Sequence, residues 1–494
     1  MVYFVTRPKS REHKLTLEEV LFGLVDDKRL SEVSAPQNKI NVNTRTDCID
    51  KIPDKVLKVM QNKIAADIDA MVAFYNRNKE LDIFFDSRYN YARQCEIKKQ
   101  VKNKLILSGE YDEELIIAET RNKMKNEGLM YNPYYYTFFI PKHSSEPGHM
   151  KFRQIDAPEP QLKNALTELK EMFEDFMGYN TYHTAAYAYV KGRSTVDLVK
   201  KLQSNNCRWI LKLDFSNFFG SIDFEFAIKQ LSQIFPFSEY VKSPRGKAAL
   251  EGCLRLCFLD GRLPQGTPIS PLLTNILMIP IDYEITNKLL KNAKDVTDFD
   301  KDDWKYEVET LDDLHLIPHP LDGEVCFVKQ TGAAMLYHNK KWENRPNYRL
   351  IFTRYADDMY IGSHRGFKYK KVIQYIKEVL KKFDAPMKLN EDKTRYSSIS
   401  GRNWILGLMY NQDQQITIGH RKKKQNQAML CNFAMDYKNH IPIEIIVVQE
   451  IMGNISYMRK IEPEYTEELL KKYNNKFGFD IWEAMISVIS KPAA

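Results

Sequence analysis

No apolar run in this sequence is long enough to cross a bilayer. The longest, YYYTFFI at 134–140 and IPIEIIVV from Ile441, fall far short of the roughly 20 residues that a helical span needs. The opening residues, MVYFVTRPKSREHK, are basic but have no apolar signal segment behind them. A membrane or secreted protein is therefore not expected, and a cytoplasmic one is. Cysteine is scarce: there are seven, an odd number without a repeated CxxC, which excludes a disulfide framework and suits a reducing compartment. Cys253 and Cys257, with His315 and His319 further on, could imitate a zinc site. Neither pair sits in a tight knuckle, so small core residues are the expected reading. Internal repeats and low-complexity segments are also absent.

What is present is a chain of 494 residues with 73 Lys+Arg against 65 Asp+Glu, a net charge of +8, and 43% hydrophobic residues. That is too long for one core and too apolar for disorder, and about two to four packed lobes are expected. The mild net charge hides segregation. Residues 365–424 hold 15 basic and 5 acidic side chains (+10), and residues 295–324 hold 11 acidic and 2 basic (−9). The basic stretch is interleaved with Phe367, Tyr369, Tyr375, Phe383 and Tyr396, a composition that would attract a polyanion, although a solvated helix face has the same charge pattern.

Helical periodicity dominates the first 125 residues. Val56, Val59, Ile64, Ile68, Met71 and Phe74 recur at spacings near three or four, predicting one buried stripe. From Tyr134 the texture changes to β-formers followed by turn residues, which predicts a hairpin. Strands and helices alternate to about 411, and after Lys424 the pattern is helical again.

Three segments carry chemistry. In RWILKLDFSNFFGSID (208–223) Trp209, Leu211 and Leu213 alternate with Ile210, Lys212 and Asp214, strand periodicity that puts Asp214 opposite the apolar face. An acid at the end of a buried strand is costly without compensation, and a cation is one form of it. In YRLIFTRYADDMYIGSH (348–364) two β-rich runs flank Ala356, Asp357 and Asp358, so two carboxylates sit at a hairpin turn. Asp214 and Asp357 on neighbouring strands could share two cations that clamp the oxygens of a phosphoryl transfer, and hard oxygen ligands favour Mg²⁺. Between them GRLPQGTPISPLLTNILM (261–278) places Gly266 among three prolines ahead of a helix, either a surface pressed against substrate with Gln265 offering its amide, or an ordinary loop capped by Thr267 or Ser270.

Taken in order, Asp214 with Phe219, then LPQGTPISP, YADD, LNEDKT (389–394) and ILGL (405–408) resemble the palm motifs of reverse transcriptases. Upstream, IPKH and KFRQIDAPEPQLK (within 140–163) and AYAYVKGRST (186–195) resemble the fingers and pre-palm motifs. GNISYMRKIEPEY (453–465) is similar to the thumb of bacterial members. The resemblance implies an α+β right-hand polymerase fold: a palm with an antiparallel sheet, fingers, a helical thumb and here a helical N-terminal extension. The layout expected is extension 1–128, fingers 129–205, palm 206–284 and 348–415 around an acidic insertion at 285–347, and thumb with C-terminal region 416–494. It implies Asp214, Asp357 and Asp358 as catalytic carboxylates, with Asp214, Phe215 and Asp357 holding two Mg²⁺, for which Mn²⁺ can substitute. Lys142 and Arg153 would meet the triphosphate, as point charge and fork respectively. Phe219 would exclude a 2′-hydroxyl, Gln265 would line the nucleotide pocket, and Lys393 would lie near the leaving pyrophosphate. Lys191, Arg193, Arg421, Lys422, Lys423 and Lys424 would touch nucleic acid. The implied partners are a noncoding RNA template, deoxynucleoside triphosphates and a DNA product.

Departures narrow the subfamily. Retron enzymes carry Asn-Ala-x-x-His and Val-Thr-Gly where this sequence reads STVDLVKKLQ and WILGLM, so a non-retron enzyme is expected. The extension and the acidic insertion resemble the defence-associated "unknown group" of bacterial reverse transcriptases, and within it the ninth described type. Such enzymes act against phage, several copy a neighbouring noncoding RNA, and some make repetitive or protein-primed DNA. A group II intron-like or other mobile-element enzyme, and a non-catalytic RNA-binding scaffold, are the alternatives. Whether the extension builds a homo-oligomer or grips RNA is left open by the sequence.

Overall fold

The computed structural model describes residues 54–110, 112–142, 151–178, 182–205, 207–297, 350–398, 404–410 and 415–490, together with four strands within 314–345. Three helices come first: α1 (Asp54–Asn78), α2 (Tyr91–Ser108) and α3 (Glu113–Asn126). The second is sharply bounded. The Asn90 side chain accepts from Arg93 N at its start, and Gly109 ends it in the left-handed conformation at φ 77°. The hairpin predicted from Tyr134 is present as antiparallel β1 (Tyr135–Lys142) and β2 (Lys151–Pro158). Next come α4 (Pro160–Met177) and α5 (Thr195–Ser204), the latter opened by a Ser194/Asp197 capping box.

The central sheet begins with β3 (Trp209–Ser216), followed by α6 (Phe224–Leu231), α7 (Pro244–Arg255), α8 (Ser270–Leu277) and α9 (Ile279–Val296). Strands β4 (Leu314–His319), β5 (Gly323–Val328), β6 (Ala334–His338) and β7 (Lys341–Arg345) form a separate antiparallel meander. The central sheet is completed by β8 (Ile351–Tyr355), β9 (Asp358–Ser363), β10 (Lys388–Leu389) and β11 (Arg395–Ser398), with α10 (Tyr369–Lys382) between β9 and β10. Its pairings are all antiparallel: β9 lies between β3 and β8, and β10 and β11 both pair with β3. A short ladder, β12 (Met409–Tyr410) with β13 (Ile416–Thr417), leads to four closing helices: α11 (His420–Lys438), α12 (Ile445–Ile461), α13 (Pro463–Phe477) and α14 (Ile481–Ser490).

Each face of β3 serves a different core. Leu211, Leu213 and Phe215 join the large cluster with α4 and α6–α10. Ile210 joins the cluster built from α5 and the four closing helices, so the face expected to be polar is polar only from Lys212 onward. The α1 stripe also differs from expectation. Met71 and Phe74 are buried and Ile64 and Ile68 half-buried, but Val59 is exposed, and the side chain of Val56 lies outside the described residues. Asp67 is buried instead, because Tyr240 Oη donates to its Oδ2 at 2.7 Å. The acidic insertion was expected from 285, yet α9 runs through that point and buries Ile285, Leu289, Ala293 and Val296 in the main core. Its most acidic stretch, DFDKDDWKYEVETLDD, lies outside the described residues. Among those residues no helix is long and apolar enough to cross a membrane.

Candidate active site

Asp214 and the 357–358 pair meet on the two neighbouring strands β3 and β9, at one end of the central sheet. In the β3–β9 register Asp214 lies opposite Asp358, and Tyr355 pairs with Asp358 across the β8–β9 turn. The turn itself is Ala356-Asp357, and Phe215 N donates to the Asp357 carbonyl at 3.3 Å, so all three carboxylates share one sheet end. Asp214 is only 5% exposed. Its Oδ2 accepts from Lys393 Nζ at 2.6 Å, whereas its Oδ1 is buried without a hydrogen-bond partner. Lys212 Nζ lies 2.9 Å from Asp358 Oδ1. Burial raises the Asp357 carboxyl above its ordinary range, and the Asp358 and Asp214 charges push it further.

An orphaned carboxylate oxygen inside a cluster of like charges is what a hard cation would satisfy. Among the described residues no three acidic, histidine or cysteine side chains already form a complete cage. Mg²⁺ does not require one, since it is commonly held by one or two carboxylates with water and substrate phosphates filling the remaining positions. Asp214 and Asp357 fit that requirement. Asp358, engaged by Lys212, is the outer member. Phe215 could offer only its main-chain carbonyl, for its ring is buried and stacked on Phe218 at 5.3 Å.

The loop before α8 lies against the β1–β2 hairpin. Gly266 has φ +129°, and a Cβ there would stand 2.7 Å from Ile155 Cγ2 and 3.0 Å from the Asp156 carbonyl. Glycine is needed because the loop lies directly on β2, where Asp156 N donates to the Gln265 carbonyl at 2.9 Å. Thr267 Oγ1 accepts from Ser270 N, so the capping expected of an ordinary loop is present alongside the close approach. Phe219 is half-buried in the single turn after β3, edge-on to Phe218 at 5.6 Å. Arg153 lies on the exposed part of β2 paired with Ile140, and the Lys142 backbone pairs with Lys151 near the hairpin tip.

Residues 140–306 match the family described as reverse transcriptase (RNA-dependent DNA polymerase). The chain carries a reverse transcriptase domain. Two curated relatives from Escherichia coli agree with this. The retron Ec73 reverse transcriptase is 25% identical over 301 residues, 59% of this chain and 74% of the relative, and the retron Ec83 reverse transcriptase is 24% identical over 349 residues, 69% and 87% respectively. The enzyme class is RNA-directed DNA polymerase, and the fold is the right-hand polymerase fold with its antiparallel palm sheet. Among solved structures, telomerase from Candida albicans in complex with a TWJ fragment of telomeric RNA aligns at TM-score 0.34 and 12% identity, covering 72% of this chain and 61% of that one. Apo telomerase from Candida tropicalis aligns at 0.32 and 10%, covering 57% and 54%. This chain thus spans less than two thirds of either telomerase chain.

Several of the basic residues expected at nucleic acid are engaged by the fold. Arg193 Nη1 donates to the His183 carbonyl at 2.9 Å and the Ala186 carbonyl at 2.5 Å, which makes it a brace of its own loop, while Lys191 is exposed. In the first turn of α11, Arg421, Lys422 and Lys424 are exposed. Lys423 instead turns inward, its Nζ 2.5 Å from Glu462 Oε1 and above the Tyr465 ring at 4.3 Å. Several aromatics of the basic stretch are committed to packing. Phe367 and Phe383 are buried, and Tyr396 stacks on Trp209 at 5.4 Å and Tyr369 at 4.7 Å. The reason is the amphipathic α10, which turns Val372, Ile376, Val379 and Leu380 inward and leaves its lysines outside. Cys253 and Cys257 are fully buried core thiols, Cys253 pushed up to about 12 by burial. The side chains of His315 and His319 lie outside the described residues.

Sequence reading missed two features. Tyr189, in the AYAYVKGRST segment, holds φ +58° with 54% of its surface exposed, and Asp357, Tyr355 and Arg153 are its electrostatic neighbours. It therefore lies where the β1–β2 hairpin and the Ala356-Asp357 turn converge. Beneath that turn lies a fully buried ion pair between Arg354 and Asp282, each side chain 1% exposed. His183 stands near it, its imidazole pushed down to about 4 by burial. Tyr189's non-glycine positive φ leaves no mark in composition, and the ion pair joins residues 72 apart in sequence.

Proposed function

We propose that this enzyme copies an associated noncoding RNA into DNA, by a two-metal nucleotidyl transfer, in bacterial defence against phage. The buried, unpartnered Oδ1 of Asp214, facing the carboxylate turn across the strand pair, carries the mechanistic part of this reading. Mg²⁺ held by Asp214 and Asp357 would supply activation of the primer hydroxyl and charge neutralisation at the pyrophosphate. The remaining work falls to side chains. Arg153 grips the triphosphate as a two-pronged donor, with Lys142 as a point charge beside it. Lys393, already on Asp214, is poised to meet negative charge leaving the site. Phe219 closes the space that a 2′-hydroxyl would need, and Gln265 borders the pocket from a loop fixed to β2. Arg421, Lys422 and Lys424 meet template and primer phosphates. Fingers (129–205), palm (206–284 and 348–415) and thumb (416–494) are the assignment that goes with these roles.

The defence role rests on the resemblance of the extension and insertion to the "unknown group". The assignment outside the retrons rests on STVDLVKKLQ and WILGLM, and it stands against retron relatives at about 25% identity. Sequencing the nucleic acid that co-purifies with the wild-type protein and with Asp357→Ala tests template and chemistry together. One RNA species with complementary DNA on the wild type, and the same RNA alone on the variant, is the expected result. Equal DNA on both proteins would overturn the carboxylate assignment. A retron-type RNA–DNA product would overturn the subfamily assignment.

A further inference from the structure

We infer that Arg354 is a positioning residue that fixes the backbone of Asp357. This rests on the proposed role of Asp357 and deepens it. The turn conformation is unusual: Ala356 has φ +55°, a region that an L-residue with a side chain occupies only when held there. The holder is Arg354, whose Nη1 donates to the Ala356 carbonyl at 3.1 Å. That carbonyl belongs to the peptide plane entering Asp357. The plane leaving Asp357 is held by Phe215 N. Both planes around the carboxylate are therefore tied down, one by the guanidinium and one by β3.

The guanidinium is itself fixed from the far side. Its Nε lies 3.0 and 3.1 Å from the two Asp282 oxygens, and its Nη2 donates to Asp282 Oδ2 at 2.8 Å and Asn275 Oδ1 at 3.2 Å. Asp282 is on α9 and Asn275 on α8, the helix that follows the Gln265–Gly266 loop. Asn275 Nδ2 also donates to the Ala188 carbonyl at 2.6 Å, next to Tyr189. Arg354 N donates to the Ala185 carbonyl at 2.6 Å, and its own carbonyl accepts from Tyr187 N at 2.9 Å. One buried residue thus links these segments, by its side chain to the turn, α8 and α9, and by its main chain to the 185–187 segment. A planar fork with five donors can do this and a lysine cannot. A buried ion pair could be replaced by apolar residues at little cost in stability. What such a replacement would remove is the donor to Ala356.

Two variants test this in the full chain: Arg354→Met/Asp282→Leu, which replaces the pair by side chains of similar size, and Arg354→Lys, which keeps the charge on Asp282 but loses the fork. The expected result for a folded variant is a fall in kcat of about 10- to 100-fold, the range typical of residues that orient metal ligands. KM for the deoxynucleotide should stay within about twofold. Mn²⁺ affinity of the protein without nucleic acid, read by electron paramagnetic resonance, should weaken several-fold. A folded variant with wild-type kcat and wild-type Mn²⁺ affinity overturns the proposal. If the double variant fails to fold, Arg354→Lys decides. Asp357→Ala run alongside separates the two levels. Its activity would sink the underlying reading, whereas an inactive Asp357→Ala beside a fully active Arg354→Lys would sink only this inference.

Discussion

Two hairpins approach Tyr189, one through Asp357 and one through Arg153, and they are built in opposite ways. The β8–β9 hairpin is enclosed: Thr353, Arg354, Met359, Tyr360 and Ile361 are at most 1% exposed. The β1–β2 hairpin is anchored only at its base, where Tyr135 is buried and Asp156 N meets the Gln265 carbonyl. Toward its tip it bares Tyr136, Phe138, Phe139, Ile140 and Phe152, each more than 40% exposed. On the proposed roles, the enclosed hairpin carries the carboxylates, whose geometry must not vary, and the exposed one carries Arg153, which would receive the nucleotide from solvent. Burial would then supply precision in one hairpin and exposure would supply access in the other.

The largest effects should come from the enclosed hairpin. Asp357→Asn is expected to lower incorporation by roughly 10³-fold or more, about 4 kcal/mol of transition-state stabilisation, while raising metal-free stability. The sign follows from the raised carboxyl. A folded-state pKa above the unfolded value means that stability is lost as pH rises through it, so at neutral pH the ionised group is a cost that asparagine removes. Thermal unfolding without Mg²⁺ at pH 7 checks this, and a lower Tm for Asp357→Asn would contradict it. Met359→Ala, at a site with no exposure, should cost about 2–5 kcal/mol in denaturant unfolding.

How much of this contrast could be read from the chain depends on how local its cause is. The YADD turn was legible because β-formers flank two adjacent acids, and the β1–β2 hairpin because aromatics run into turn residues. Asp214 was placed correctly at the end of a strand, although Ile210 on the same face is buried under the closing helices. The rest was set by distant partners. Asp282 and Arg354 each look like surface charges until the fold pairs them, Lys423 turns inward only because Glu462 is there, and Tyr396 is half-buried against the core, where it stacks on Trp209. Val59 shows the converse, a residue in the apolar period that is nevertheless 37% exposed.

Intermediate effects belong to the residues between the hairpins and to the exposed cation. Phe219→Val should raise the ratio of ribonucleotide to deoxynucleotide incorporation by roughly 10- to 100-fold, the discrimination available from a small change in apolar pocket volume. Unchanged sugar selectivity in paired kcat/KM measurements would remove Phe219 as the gate. Arg153→Lys should raise KM for the nucleotide about tenfold with little change in kcat, since it keeps the charge and loses the fork. A fall in kcat with constant KM would mean that Arg153 acts on the transition state alone and that the two hairpins share the chemistry.

The smallest effect sharpens the comparison most. Phe139 is 61% exposed, so little of its ring leaves water on folding. Its pair across β2 is Gln154, and on its own strand Thr137 is tied to Asp156 Oδ1 at 2.6 Å. The hairpin base is therefore held by hydrogen bonds that Phe139 does not make. Phe139→Ser should change unfolding free energy by no more than about 0.5 kcal/mol, against several for Met359→Ala. If it destabilised the protein as much as the buried substitution does, the exposed face of β1–β2 would have to be packed in solution, and the two hairpins would not differ in the way their surfaces indicate. If stability holds while incorporation on a primed template falls, the ring serves the substrate and not the fold, which is the division of labour that the open hairpin implies.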